Sequence, residues 1–133
     1  MEASNYGVEF DDFTGRHYVK SFEKRYKSAW DKTKNDIVEM CKRIDNMLQL
    51  KRADLINQNG SHKLVKLDFA VEGTKISPKT SGNRCILHIN EELRIVRILL
   101  VYSKNEISEP HETVKWKTAI KDHFTDIRNI FDL

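Results

Sequence analysis

The chain has 133 residues, 39% hydrophobic and 32% charged, with a net charge of +3. That is ample apolar material for one core, and too mild a positive balance to imply nucleic acid by itself. No apolar run reaches the roughly 18 residues of a membrane span, and Met1-Glu2-Ala3-Ser4-Asn5-Tyr6 lacks the basic and apolar regions of a secretory signal, so the cytoplasm is the expected compartment and no membrane partner is expected.

The charge is unevenly spread. Residues 1–12 carry four acidic and no basic side chains, residues 13–62 eleven basic against six acidic, residues 63–104 eight against four, and residues 105–133 four against six. A basic body therefore lies between two acidic ends. The two cysteines, Cys41 and Cys85, fall at apolar positions without CxxC partners or metal-type spacing, and read as reduced core residues.

Taken in chain order, residues 1–16 are polar, acidic and glycine-punctuated, and are expected to be a loose arm or a short edge element, with disorder preferred over docking on the basic body. Residues 17–133 are expected to be a single domain. His17–Phe22 reads as a short strand running into a helix. From Phe22 the apolar spacing becomes helical, through Tyr26, Ala29 and Trp30 and then Ile37, Met40, Cys41, Ile44, Met47 and Leu48. The polar stretch Asp31–Asp36 separates the two groups, and Thr33-x-x-Asp36 has the form of a capping box, so two helices packed as a hairpin are expected. Asn57–Ser61 should end the second helix by turn chemistry. His62–Val71 reads as a strand, Gly73–Gly82 as a polar loop, and Arg84–Ile89 and Ile95–Lys104 as an antiparallel hairpin. After Pro110 the spacing of Trp116, Ile120, Phe124, Ile127 and Phe131 marks a closing helix. The expected class is α+β, with helices on one face of a small antiparallel sheet.

Three segments carry a resemblance to a known family. Tyr18–Lys27 is similar to the opening strand and first helix of the RelE/ParE toxin superfamily. Lys79-Thr80-Ser81-Gly82-Asn83-Arg84 is similar to its K-S-G-G-x-R turn into a strand. Leu99–Glu106 is similar to its L-L-x-x-Y-x-K-x-E strand end. In this order, over His17 to His123, the chain looks closest to the RelE and HigB branch. The resemblance implies a RelE-like fold of helical hairpin, twisted antiparallel sheet and C-terminal helix. It also implies a labile antitoxin as partner, and metal-free, cofactor-free cleavage of mRNA on the ribosome. ParE-like members share the fold and act on DNA gyrase, so the alternative is a relative that binds a protein without cutting RNA.

Metal-free RNA cleavage needs a base for the 2′-hydroxyl proton, cations for the developing charge and an acid for the leaving 5′ oxygen. Arg84 matches the family's arginine after the glycine turn, and its planar donor fork suits the scissile phosphate. Lys104 aligns with a second catalytic cation, while Lys75 and Lys79 precede the turn where base candidates are found. His111 is placed to protonate a leaving group near neutrality. Lys63, Lys66 and Arg97 are candidate RNA-binding cations, and Tyr102 a ring on which a base could stack. Against each stands a plainer reading: a surface cation, a solvent-facing histidine after Pro110, a half-buried tyrosine. His88 shares a strand face with Arg84 and Ile86 and is expected to be a sheet-face or core residue. HExxH, glycine-rich phosphate loops and nucleophile elbows do not occur.

Overall fold

A computed structural model describes residues 5–71, 73, 75–103 and 112–133. It opens with strand β1 (Gly7–Phe10), a helical turn α1 (Asp12–Thr14), a π-helical turn (Gly15–Val19) and helices α2 (Lys20–Tyr26), α3 (Ser28–Lys42) and α4 (Ile44–Gln49). Strands β2 (Ala53–Asn59) and β3 (His62–Phe69), the turn α5 (Pro78–Ser81), strands β4 (Asn83–Asn90) and β5 (Ile95–Ser103), and helices α6 (Glu112–His123) and α7 (Thr125–Phe131) complete it. The five strands form one sheet in the order β1-β5-β4-β3-β2. β1 runs parallel to β5, and the other pairs are antiparallel.

Several expectations change. The acidic segment is not disordered over Gly7–Phe10: it is an edge strand, and the Tyr6 ring before it is buried in the core. His17–Phe22 is helical rather than extended, because Val19, Phe22 and Tyr26 sit at helical spacing, and Val19 and Phe22 are buried on that face. No break occurs at residues 31–36. Thr33 is buried and its hydroxyl donates to the Ala29 carbonyl one turn back at 2.7 Å, so it extends α3 instead of capping a new helix. The break lies at Lys27, whose φ of 52° and ψ of −121° separate α2 from α3. The second helical region ends near Leu50, and Ala53–Asn59 is an edge strand paired with β3 across the Gly60-Ser61 turn. Its asparagines and aspartate hide it from a pattern search, since these residues are depleted in strands.

The sheet is covered on both faces, not one. Strand residues alternate between faces, and the core divides accordingly. Val65, Leu67, Phe69, Cys85, Leu87 and Ile89 pack with Phe22, Trp30 and Ile37 of the N-terminal helices. Leu64, Ile86 and Leu100 pack with Trp116, Ile120, Phe124, Ile127 and Phe131 of α6 and α7. A bulge in β5, where Leu87 pairs Ile98 and Ile86 pairs Leu100, sends both Leu99 and Leu100 to the C-terminal side. The Thr14 hydroxyl donates to the Ile98 carbonyl at 3.1 Å and also bonds the Leu99 carbonyl, tying the N-terminal turn to that bulge. Cys41 and Cys85 are free and fully buried; burial raises the Cys85 thiol and pushes Cys41 up to about 12.

Lys27 occupies backbone space that favours glycine. Lys27→Gly is therefore expected to stabilise the fold by about 1 kcal/mol, the strain relieved exceeding the entropy that glycine adds to the unfolded chain. A urea midpoint that stays put or falls would show that this position is unstrained.

Candidate functional site

The turn into β4 builds the site. Ser81 donates its hydroxyl to the carbonyls of Phe69 (2.6 Å) and Pro78 (2.8 Å) and accepts the Asn83 N–H at 3.1 Å. Gly82 follows with φ 78°, the left-handed conformation that closes a short helical turn and starts a strand. Arg84 is thereby fixed one residue into β4, between Asp68 of β3 and Tyr102 of β5 in the strand register. Its Nε lies 3.1 Å from Asp68 Oδ1, with both side chains largely buried at 14% and 12% exposure.

By alternation, Lys66, Asp68, Arg84 and Tyr102 share the face covered further along by α6 and α7. Lys66 sits opposite Asp54 of β2 and Ile86 of β4. A cavity of about 270 Å³ opens beside this row, lined by Arg52, Asp68, Ser77 and Pro78, so a second guanidinium reaches the neighbourhood of Asp68. A carboxylate against an arginine, next to an open cavity, combines a proton acceptor with a permanent donor fork.

The other candidates go elsewhere. Lys63 is on the opposite face and 3.4 Å from Glu91. Arg97 is held between Asp11 (2.9 Å) and Asp126 (2.6 Å), which keep its guanidinium firmly charged and occupied despite its burial. Tyr102 is 4% exposed in the C-terminal core cluster, leaving little ring face for a base. Lys75 is exposed on the segment before α5. The side chain of Lys79 lies outside the described residues, as do Lys104 and His111. Among the described residues, no group of three or more His, Cys, Asp or Glu side chains could hold a metal ion, and no helix is long and apolar enough to cross a membrane.

Two residues of the site escaped sequence reasoning. Asp68 had a usable signal, since the alternation of β3 puts it on the face of Lys66; what was missing was the register that sets it beside Arg84. Arg52 precedes a strand whose polar composition concealed it.

No family model and no curated protein sequence matches the chain. A crystal structure of an archaeal RelE–RelB complex from Pyrococcus horikoshii OT3 contains a chain of similar architecture, with a TM-score of 0.51 and 13% identity over 75% of this chain and 96% of that one. The chain has a RelE-like fold. The resemblance read from the sequence thus holds at the level of fold, although the first of its three segments, Tyr18–Lys27, contains no strand. Within this RelE-like fold the turn Lys79–Arg84 does enter a central strand, and Leu99–Ser103 does form the end of its neighbour.

Proposed function

We propose that this chain is the toxin of a toxin–antitoxin pair, a cytoplasmic, metal-independent and ribosome-dependent mRNA endoribonuclease. The observation that carries this reading is the Asp68–Arg84 pair, set beside an open cavity on the face of a RelE-like sheet. Asp68 would take the proton from the 2′-hydroxyl as that oxygen attacks the adjacent phosphorus in line. Arg84, with Arg52 and Lys66 nearby, would stabilise the extra negative charge of the five-coordinate phosphate. The bond to the 5′ oxygen then breaks, and an acid returns a proton to it, the role read for His111; Lys104 would add a second cation, and Lys75 and Lys79 remain alternative bases to Asp68. The products are a 2′,3′-cyclic phosphate and a 5′-hydroxyl. The partners follow: ribosome-bound mRNA as substrate, and a cognate antitoxin, since the similar solved structure is a RelE–RelB complex.

A second reading has its own support. Arg84 is already satisfied by Asp68 and Tyr102 is buried, as suits a ParE-like relative that grips a protein such as gyrase without cutting RNA. Inducing the chain in a bacterial host separates the two. Growth arrest with fragmented mRNA and normal plasmid supercoiling supports the nuclease, whereas arrest with intact mRNA and lost supercoiling supports the gyrase reading.

A further inference from the structure

His62 and His88 stand apart from the Asp68–Arg84 site. His62 Nδ1 and His88 Nε2 are 2.9 Å apart. The ring centroids are 5.1 Å apart and the planes differ by only 16°. That centroid distance is about the nitrogen separation plus one ring radius at each end, so the rings meet edge to edge along a single N–H···N hydrogen bond. One ring donates and the other accepts.

This pair sits where three parts of the chain converge. His88 is 6% exposed and pairs across the sheet with Arg97. Arg97 holds Asp11 from the N-terminal segment and Asp126 from α7. The Phe131 ring of α7 lies nearly perpendicular to the His88 ring, with centroids 6.1 Å apart and planes at 81°. Glu9 of β1, Asn90 of β4 and Ile130 of α7 line the same cavity of about 300 Å³. Among the described residues, the charged groups lining the histidines' cavity are thus Glu9, Arg97 and Asp126, with Asp11 bonded to Arg97.

Protonation acts on this pair in two unequal steps. A first added proton goes to an outer ring nitrogen and leaves a charge-assisted N–H···N bond, which is stronger. A second forces N–H against N–H and sets two imidazolium ions edge to edge beside Arg97.

We propose that the His62–His88 pair is an acid-sensitive latch, closed while it carries no more than one added proton, that holds α7 on the sheet and releases it when both rings are charged. Burial, then the charges of His62 and Arg97, hold His88 well below the ordinary histidine value, at about 4, with Asp126 opposing them. A histidine whose pKa is depressed in the docked state binds its proton better once released. The docking is therefore complete above about pH 6.5 and weakens as pH falls towards 4. Among the described residues, the other polar ties of α7 to β2, from Asn57 Nδ2 to the Phe131 carbonyl (3.5 Å) and from Asn59 Nδ2 to the Ile130 carbonyl (2.7 Å), involve no titrating group. The Asp126–Arg97 ion pair to β5 opposes burial to hold the Asp126 carboxyl below the usual carboxylate range, so that tie is lost only at a lower pH than the histidine step. Release of α7 withdraws Ile127 and Phe131 from Leu64 and Ile86, opening the sheet face on which Lys66 and Arg84 lie.

Hydrogen exchange of the purified full chain at pH 7 and pH 5, corrected for the intrinsic pH dependence of exchange, tests the latch. The amides of residues 125–131 should lose protection on the order of tenfold at pH 5 while β3, β4 and β5 keep theirs. His88→Gln should show no such step. His62→Gln, at a less buried position, should show a reduced one, because a charged His88 can then donate to the amide oxygen; it carries the test if His88→Gln does not fold. Equal protection of α7 at both pH values, loss of α7 and sheet together, or an unchanged step in the foldable variants would overturn the proposal.

Discussion

Replacing Arg84 with alanine is expected to lower RNA cleavage by about 10²- to 10³-fold, the usual cost of removing one preorganised group that stabilises transition-state charge. It is also expected to cost roughly 3 kcal/mol of stability, because Asp68 is 12% exposed and would be left as a largely buried carboxylate without its arginine. Loss of toxicity in this variant alone is therefore ambiguous. The double variant Asp68→Asn/Arg84→Gln removes both charges and keeps hydrogen-bonding groups of similar shape. It should unfold in urea within about 1 kcal/mol of the parent and still relieve growth arrest. A stable double variant that arrests growth as the parent does would remove the pair from the reaction.

The largest effect on stability is expected at Trp30. Its ring is fully buried and packs against Phe22 at 5.0 Å and Phe69 at 6.3 Å, joining the helices to the sheet. Trp30→Ala should cost about 3–5 kcal/mol through lost burial and the cavity left behind, a large share of the margin of a domain this size. Trp30→Phe should cost far less, under about 1.5 kcal/mol. The indole N–H is buried without a partner in the described structure, so phenylalanine removes an unsatisfied donor as it gives up volume. Chemical denaturation of both variants measures the difference. Equal costs would mean that the indole nitrogen has a partner after all, or that the ring's volume matters little.

The contrast between what the sequence revealed and what it hid is physical. Helix and strand periods were readable where one face of an element is buried: Trp116, Ile120, Phe124, Ile127 and Phe131 marked the C-terminal helices, and Ile95–Ser103 the second strand of the hairpin. Phe124, with φ −130° and ψ 74°, divides that C-terminal stretch into α6 and α7 without disturbing the apolar spacing, which is why it read as one helix. Edge strands were harder to read: a short edge element was one of two readings of residues 1–16, and β2 went unseen. β1 is four residues long and β2 is polar, and a strand with one free side needs little apolar patterning. The helix break was misplaced because Thr33 has two uses for its hydroxyl, as a cap or bonded to the preceding turn, and burial selected the second.

The site divides in the same way. The position of Arg84 at the start of β4 was legible from the Ser81-Gly82-Asn83 turn that precedes it. Its partner Asp68 depended on strand register, which rests on pairing between distant segments and leaves no local trace. Arg97 shows the same limit from the other side. A cation on a strand face looked available for RNA, yet Asp11 and Asp126, 86 and 29 residues away in sequence, occupy it.

If the Asp68–Arg84 face cuts mRNA by way of the RNA's own 2′-hydroxyl, the chemistry of the new RNA ends records it. Total RNA from cells expressing the parent and the Asp68→Asn/Arg84→Gln variant would be mapped with methods that separate 5′-hydroxyl from 5′-phosphate ends. New 5′-hydroxyl ends are expected within translated codons, matched by 2′,3′-cyclic or 3′-phosphates upstream, and absent from the variant. New ends bearing 5′-phosphates, or the same 5′-hydroxyl ends in the variant, would contradict this mechanism.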